Sequence, residues 1–195
     1  PVAHSFPTRR SSDLEESLEE LIKQKEAGKF KYLGVSNFKP SLMDKAREIT
    51  EVVSLQPQYS LLRRNIEKNI IPYCQKNDMG ILSYGTLAGG VLTGKYKDIP
   101  EFDEDDSRSM FYNFFDEKQW PKIQKLLDTM REIASQRDVP VVQVAINWTF
   151  QQPGITSALV GAKNADQAKS NAAAGDWKLS KEELDTIESR YQEVM

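Results

Sequence analysis

Four short apolar segments alternate with amphipathic helical segments along most of the 195-residue chain. The sequence predicts strands at residues 30–35, 52–56, 80–84 and 156–160. Strands that alternate with helical patterns are typical of an α/β fold, in which each helix crosses between neighbouring parallel strands. We therefore expect four parallel strands paired in sequence order, with helices covering the outer face of the sheet.

The helical segments are separated by recognisable start and stop signals. Ser180 and Glu183 have the spacing of a capping box, which opens the last helix. The predicted helices cover residues 15–27, 39–50, 65–76, 120–136, 141–151, 165–174 and a last segment that ends near residue 193. Between the third strand and the fourth helix, residues 85–119 form a long irregular segment, and segments of this length are uncommon unless functional or disordered.

The composition excludes several classes of protein. A net charge of −3 and a pI of about 5.4 argue against a nucleic acid as the main partner. No apolar run reaches the roughly 20 residues that cross a bilayer, so we expect no membrane span. A single cysteine, Cys74, fits a reducing cytoplasm and a core position, and without a Cys/His cluster we expect no metal.

Residues 81–96 have the composition of an anion-binding loop. An apolar run ends at Tyr84, a loop rich in glycine follows, and Lys95 comes at its end. Backbone N–H groups that no side chain shields suit a pyrophosphate, and Tyr84 could offer a flat face to a planar ring. A plain glycine-rich turn is the alternative interpretation.

Four motifs occur together in a characteristic order. They are GVSNF at residues 34–38, QPQYS at 56–60, LAGGVLTGKY at 87–96 and VGAKNADQ at 160–167. In this combination they resemble the second half of an aldo-keto reductase, from about Glu15 to the C-terminus. The resemblance implies a (β/α)8 TIM barrel that binds NADP(H) extended across the carboxyl ends of its strands. Since such a barrel has about 250 residues, we expect this chain to be a C-terminal half-barrel.

The resemblance assigns one group of residues to the nicotinamide end of the cofactor. Ser36, Asn37 and Gln56 would hold the carboxamide, and Tyr84 would stack on the ring. From the residues alone, Ser36 and Asn37 could instead cap a helix, Gln56 could be a polar strand end, and Tyr84 could be an ordinary core tyrosine.

A second group is assigned to the phosphates. The resemblance gives the pyrophosphate loop as Gly85, Thr86, Leu87, Ala88 and Gly89, followed by the phosphate-binding Lys95. Gly85 and Thr86 stand where the family usually has Ser-Pro, so we expect a less rigid loop that keeps its backbone contacts. Arg108 would fold over the cofactor, although a surface arginine paired with Asp105 or Asp106 is equally consistent with the sequence.

A third group matches the site for the adenosine end: Gly161, Lys163, Gln167 and Asn171. Lys163, beside the start of the following helix, would suit a 2′-phosphate, which favours NADP over NAD. A solvated lysine at a helix start is the alternative. Ser170 departs from the acidic residue often found before Asn171, which removes one expected adenine contact.

No catalytic residue can be assigned in this chain. The family uses a Tyr as general acid, helped by Lys, Asp and usually His, and all four come from the first half of the barrel. By resemblance the function is NADP-dependent reduction of aldehydes or ketones to alcohols by hydride transfer, and we expect the chain alone to be inactive. A non-catalytic, cofactor-binding channel subunit of the same fold is the alternative.

The N-terminal segment departs from the family pattern. All ten residues from Ser5 to Leu14 match the conceptual translation of a sequencing adaptor in one frame. We therefore predict that residues 1–14 are non-native and that residues 15–195 form the C-terminal half of the oxidoreductase barrel. A transit peptide or a disordered polar arm would also fit this composition.

Overall fold

The chain folds into one sheet with helices packed against it. A computed structural model describes residues 11–103, Asp106, Arg108 and residues 112–195. The described elements are α1 Ser11–Glu26, β1 Gly34–Ser36, α2 Pro40–Ile49, β2 Ser54–Gln56, α3 Ile70–Lys76, β3 Gly80–Ser83, α4 Trp120–Gln136, α5 Val141–Phe150, β4 Ser157–Ala158, α6 Ala165–Ala173 and α7 Lys181–Val194. Short 3₁₀ turns lie at Asn65–Glu67, Ala88–Thr93 and Ala174–Asp176.

The predicted sheet topology is confirmed. The strands pair in the order β1-β2-β3-β4, and every pair is parallel. In the central register Val35 pairs with Leu55, and Leu55 pairs with Ile81. Among the described residues, β1 and β4 each have a strand neighbour on one side only.

The helices cover one face of the sheet. Burial alternates along β3, and Leu55 and Ile81 are completely buried in the same core as Met43 of α2 and Cys74 of α3. Burial raises the pKa of the Cys74 thiol to about 11, as expected for a thiol that packs as a small apolar residue. Ser54 and Gln56, the neighbours of Leu55, are only half-buried.

The strands are shorter than the sequence predicts. Residues 30–33 lie outside β1, and the Tyr32 side chain there is 72% exposed. Regular pairing begins at Gly34, where an added Cβ would lie 2.4 Å from the side-chain Oγ of Ser54 and 3.3 Å from the Ser54 carbonyl oxygen. An apolar run thus overestimates the length of a strand, because pairing with a neighbouring strand, and not composition, sets where the strand begins and ends.

Two predicted helix boundaries are wrong. The helix expected at residues 65–76 is a 3₁₀ turn followed by α3, which begins at Ile70. This start puts Pro72 in the first turn of α3, where its missing N–H is not needed. The first helix begins at Ser11 and not at residue 15, with Leu14 and Leu18 buried in the core. The foreign origin of residues 5–14 stays a prediction, and residues 5–10 lie outside the described part.

The last two helices begin where the sequence predicts. Asn164 caps α6, its Oδ1 accepting a hydrogen bond from the Gln167 N–H at 2.9 Å. The capping box of α7 is complete, with Ser180 Oγ accepting from the Glu183 N–H and the Glu183 carboxylate accepting from the Ser180 N–H. In the described part of the chain, no helix is long and apolar enough to cross a membrane.

Asn147 of α5 joins the C-terminal segment to the core. Its completely buried side chain donates to the carbonyls of Ala174 and Trp177, at 3.0 and 2.8 Å, and accepts from the Leu179 N–H at 3.1 Å. It also accepts from the Gln151 amide. One side chain therefore satisfies three backbone groups of the irregular segment that leads to α7.

The replacement Asn147→Ala should lower the free energy of unfolding by about 2–4 kcal/mol, because it leaves buried backbone groups unpaired. Urea unfolding followed by circular dichroism measures the change. Thr149→Val is the matched control, since the buried Thr149 hydroxyl bonds only the Ala145 carbonyl of its own helix; it should cost under about 1 kcal/mol. Equal losses for the two variants would contradict this account.

Candidate functional site

The sequence-predicted site residues lie where four parallel strands end. Ser36 and Gln56 are the last residues of β1 and β2, Tyr84 directly follows β3, and Gly161 comes shortly after β4. Since the strands are parallel, their carboxyl ends share one edge of the sheet. Loops at this edge carry the active sites of parallel α/β barrels, so the placement suits a binding site.

Hydrogen bonds connect the ends of β1, β2 and β3. The Ser36 hydroxyl donates to the Gln56 carbonyl at 2.9 Å, and the Asn37 N–H donates to the same carbonyl at 3.1 Å. The Tyr84 hydroxyl donates to Oδ1 of Asn37 at 3.2 Å. Asn37 has a φ of +58°, a left-handed conformation that asparagine tolerates better than most residues.

Two alternative interpretations can now be decided. The N-cap residue of α2 is Lys39, which makes no side-chain capping bond, so Ser36 and Asn37 do not cap this helix. Tyr84 is half-buried, with its hydroxyl bonded at the strand-end edge, and is not a core tyrosine. The side chains of Ser36 and Asn37 are exposed at the same edge.

The glycine-rich loop depends on its glycines. Gly85 and Gly89 have φ values of +72° and +68°, which side chains rarely adopt. An added Cβ would lie 3.0 Å from Cγ of Gln58 at the first position and 2.8 Å from the Tyr112 ring at the second. Gln58 and Tyr112 were not predicted as part of the site. The QPQYS motif could have indicated Gln58, whereas no sequence pattern indicates Tyr112.

Thr86 ties this loop to the end of β4. Its side chain is 1% exposed, and its hydroxyl donates to the Leu159 carbonyl at 3.1 Å. Leu87 and Ala88 follow in the same turn, half-buried and buried respectively. The hydroxyl of Thr86 supplies a link that the proline expected at this position from the resemblance could not make.

Two of the predicted site cations, Lys95 and Arg108, contact the same tyrosine. Lys95 Nζ lies 4.5 Å from the centroid of the Tyr96 ring, and Arg108 Nη1 donates to the Tyr96 hydroxyl at 2.7 Å. Burial acts to raise the pKa of Tyr96, but Lys95 and Arg108 together lower it below its ordinary value. Tyr96 and Lys95 lie beside the loop at Gly90, where an added Cβ would be 3.7 Å from the Tyr96 ring and 4.0 Å from Cε of Lys95.

Arg108 is also paired with a carboxylate. Its Nε lies 2.9 Å from both oxygens of Asp106, and its Nη2 lies 2.5 Å from Oδ2. Hydrogen bonds from Arg108, with a smaller contribution from the charge of Lys163, lower the pKa of Asp106 to about 2. The structure therefore contains the pairing with Asp106 that was the alternative to a cofactor-binding role for Arg108, while Asp105 lies outside the described residues.

The residues predicted for the adenosine end lie together at the start of α6. The Lys163 N–H donates to Oε1 of Gln167 at 2.8 Å, and Asn171 Nδ2 donates to the Gly161 carbonyl at 3.2 Å. An added Cβ at Gly161 would meet nothing within 4 Å. Gly161, Lys163 and Gln167 are exposed, so this surface is open to a ligand.

One family model matches nearly the whole chain, including most of the N-terminal segment that was expected to lie outside the family. Residues 2–192 match the model of the Aldo/keto reductase family. The chain belongs to this family. Within the described ranges, no group of three or more His, Cys, Asp or Glu side chains could hold a metal ion.

Individual relatives show the same match. The chain is 31% identical over 178 residues to aldo-keto reductase YhdN of Bacillus subtilis, covering 89% of this chain and 53% of the relative. It is 31% identical over 200 residues to L-glyceraldehyde 3-phosphate reductase of Escherichia coli O157:H7, covering 96% and 57%. The chain thus spans about half the length of the curated relatives it matches.

A solved structure extends the match to three dimensions. The glycerol dehydrogenase AKR11B4 from Gluconobacter oxydans is 34% identical, with a TM-score of 0.85 over 93% of this chain and 55% of that one. Together with the four parallel strands, this confirms the predicted α/β fold of the aldo-keto reductase barrel family.

Thr86→Val should lower the free energy of unfolding by about 1–2 kcal/mol, because it leaves the Leu159 carbonyl without its buried donor at nearly constant side-chain volume. Thermal unfolding measures the loss. The control is Thr93→Val: the Thr93 hydroxyl bonds the nearby Gly90 carbonyl and is only half-buried, so water can replace it. A larger loss for Thr93→Val than for Thr86→Val would refute the proposed link.

Proposed function

We propose that this chain carries the cofactor-binding half of an NADP(H)-dependent oxidoreductase that reduces aldehydes or ketones to alcohols. The main support is the edge where the four strands end, which carries hydroxyl and amide side chains and the start of the glycine-rich loop. Membership of the aldo/keto reductase family supports the same activity.

At the nicotinamide end, the proposal uses Ser36, Asn37, Gln56 and Tyr84. The first three bring hydroxyl and amide groups that match the donors and acceptors of a carboxamide. The half-buried Tyr84 ring, held through its hydroxyl by Asn37, offers a flat face for stacking. A bound nicotinamide cofactor would supply the hydride, and these side chains would fix its orientation.

At the phosphate end, the proposal uses the glycine-rich loop and the cations around it. The residues 85–89 would pass under the pyrophosphate with their backbone N–H groups. Lys95 and Arg108 would contribute positive charge from the Tyr96 cluster. The adenosine end would then be held by the exposed Gly161, Lys163 and Gln167 together with the half-buried Asn171.

The reaction itself needs residues outside this set. The family's proton-transfer residues cannot be placed in this chain, so the proposed activity belongs to a protein that carries them as well. We infer that residues 15–195 alone bind the cofactor without turning over substrate, and that residues 1–14 are not native. A non-catalytic, cofactor-binding channel subunit of the same fold would carry the same loop and cations. We favour the enzyme because the relatives are named as reductases and a dehydrogenase.

The names of the relatives suggest the size of the substrate. One is a reductase of L-glyceraldehyde 3-phosphate and another a glycerol dehydrogenase, both acting on small molecules. We propose a small carbonyl or alcohol substrate, no metal, and a cytoplasmic location in keeping with the single unpaired cysteine. An acidic chain with net charge −3 does not favour nucleic acid as a partner.

Lys163→Ala should weaken NADPH binding about tenfold or more and leave NADH binding nearly unchanged, because only NADPH offers a 2′-phosphate to this ammonium group. The fluorescence of the reduced nicotinamide on titration with protein measures both affinities. Low ionic strength is needed, since salt screens an exposed contact of this kind.

Lys169→Ala is the matched control for this measurement. Lys169 is an exposed lysine of α6, the helix that begins two residues after Lys163, and is not among the proposed ligands. Its replacement should leave both affinities within about twofold of the unmodified chain, a difference below the strength of one charged hydrogen bond. Equal weakening of NADPH and NADH by Lys163→Ala would show that Lys163 does not contact the 2′-phosphate.

A further inference from the structure

Arg64 lies at the centre of a half-buried ion cluster that the candidate site does not include. Its Nε and Nη2 donate to the two oxygens of Glu67 at 2.8 and 3.2 Å. Its Nη1 donates to Glu188 of the C-terminal helix α7 at 2.6 Å. Desolvation acts to lower the pKa of Arg64, but these two carboxylates raise it overall, so the guanidinium stays charged.

Two aromatic rings hold the same guanidinium in place. The Arg64 Cζ lies 4.5 Å from the ring centroid of Tyr191 in α7 and 5.3 Å from that of Trp148 in α5. Such contacts fix the plane of the guanidinium as well as its charge. Arg64 therefore joins α5 and α7 to the segment that follows β2.

A single tyrosine connects this cluster to the strand ends. The Tyr59 hydroxyl donates to Oε1 of Glu67 at 2.7 Å, and its completely buried ring lies 5.7 Å from that of Trp148. On the other side, the Tyr59 N–H donates to the Tyr84 carbonyl at 2.9 Å. The Tyr84 N–H in turn donates to the Pro57 carbonyl at 3.0 Å.

The backbone between Gln56 and Tyr59 is thus held from three directions. Ser36 and Asn37 bond the Gln56 carbonyl, and Tyr84 bonds the Pro57 carbonyl. The third attachment is the Tyr59 side chain, which ends in the Arg64 cluster. Tyr59 therefore contacts both the Arg64 cluster, through its hydroxyl, and the strand end of Tyr84, through its backbone N–H.

We propose that Arg64 is a positioning residue, and that through it the C-terminal helix α7 sets the geometry of the nicotinamide end of the cofactor site. The inference rests on the proposed function for the identity of the ligand. The coupling between α7 and the strand ends is independent of the proposed function, because it is argued from the contacts of Tyr59. Glu188 is the α7 side of this coupling, 124 residues away from Arg64 in sequence.

The decisive variant is Glu188→Gln, which keeps the shape of the side chain and removes its charge. Arg64 retains Glu67 and both rings, so the fold should persist. The matched control is Glu193→Gln, because Glu193 lies on the same helix but pairs with Arg190 of α7 itself. A second variant, Tyr59→Phe, removes only the hydroxyl that bonds Glu67.

The first measurement compares two ligands. NADPH reaches both ends of the proposed site, whereas adenosine 2′,5′-bisphosphate reaches only the adenosine end. Glu188→Gln should weaken NADPH about threefold to tenfold, with a smaller effect in the same direction for Tyr59→Phe. The affinity for adenosine 2′,5′-bisphosphate and both affinities of Glu193→Gln should stay within about twofold.

The second measurement needs no ligand. Amide hydrogen exchange of Tyr59 and Tyr84 should become severalfold faster in Glu188→Gln and remain unchanged in Glu193→Gln. Equal weakening of both ligands, or unchanged exchange at these two amides, would overturn the inference. If the unmodified chain binds neither ligand, the proposed function fails, and the exchange measurement alone then decides whether α7 positions Tyr84.

Discussion

Parallel pairing of the four strands in sequence order is the constraint on which the rest of the structure depends. It brings the last residues of β1, β2 and β3 to one edge of the sheet, although they are far apart in sequence. Leu55 and Ile81, completely buried at the centre of this sheet, hold the register. A slip of one residue would turn both side chains to the opposite face and separate Ser36, Gln56 and Tyr84.

The polar residues at this edge are already hydrogen-bonded to one another before any ligand is considered. Ser36 and Asn37 satisfy the Gln56 carbonyl, and Asn37 accepts from Tyr84. Such bonds fix side-chain positions in advance, so these side chains lose less conformational entropy when a ligand binds. The same bonds limit how a carboxamide can bind, because it must use the donors and acceptors of these side chains that are not already bonded within the protein.

Local sequence patterns predicted which helices and strands form. They could not predict the features that depend on contacts between distant parts of the chain. The helix at Trp120–Gln136 agrees with the sequence at both ends, since its apolar spacing is long and regular. The strands were predicted too long, because their ends depend on partners. Some contacts join parts of the chain that no local pattern connects. Gln58 and Tyr112 lie beside the glycine-rich loop, and Arg64 bonds a distant partner on α7.

The cations of the proposed phosphate end differ in how far carboxylates already neutralise them. Arg108 already donates to Asp106 and to the Tyr96 hydroxyl, and Asp106, with its pKa near 2, stays ionised at neutral pH. A phosphate near Arg108 would therefore compete with the Asp106 carboxylate for the guanidinium. The negative charge of Asp106 would also repel it. Lys163 is exposed and its backbone N–H, not its ammonium group, bonds Gln167. Discrimination between NADP and NAD should thus depend on Lys163 far more than on Arg108.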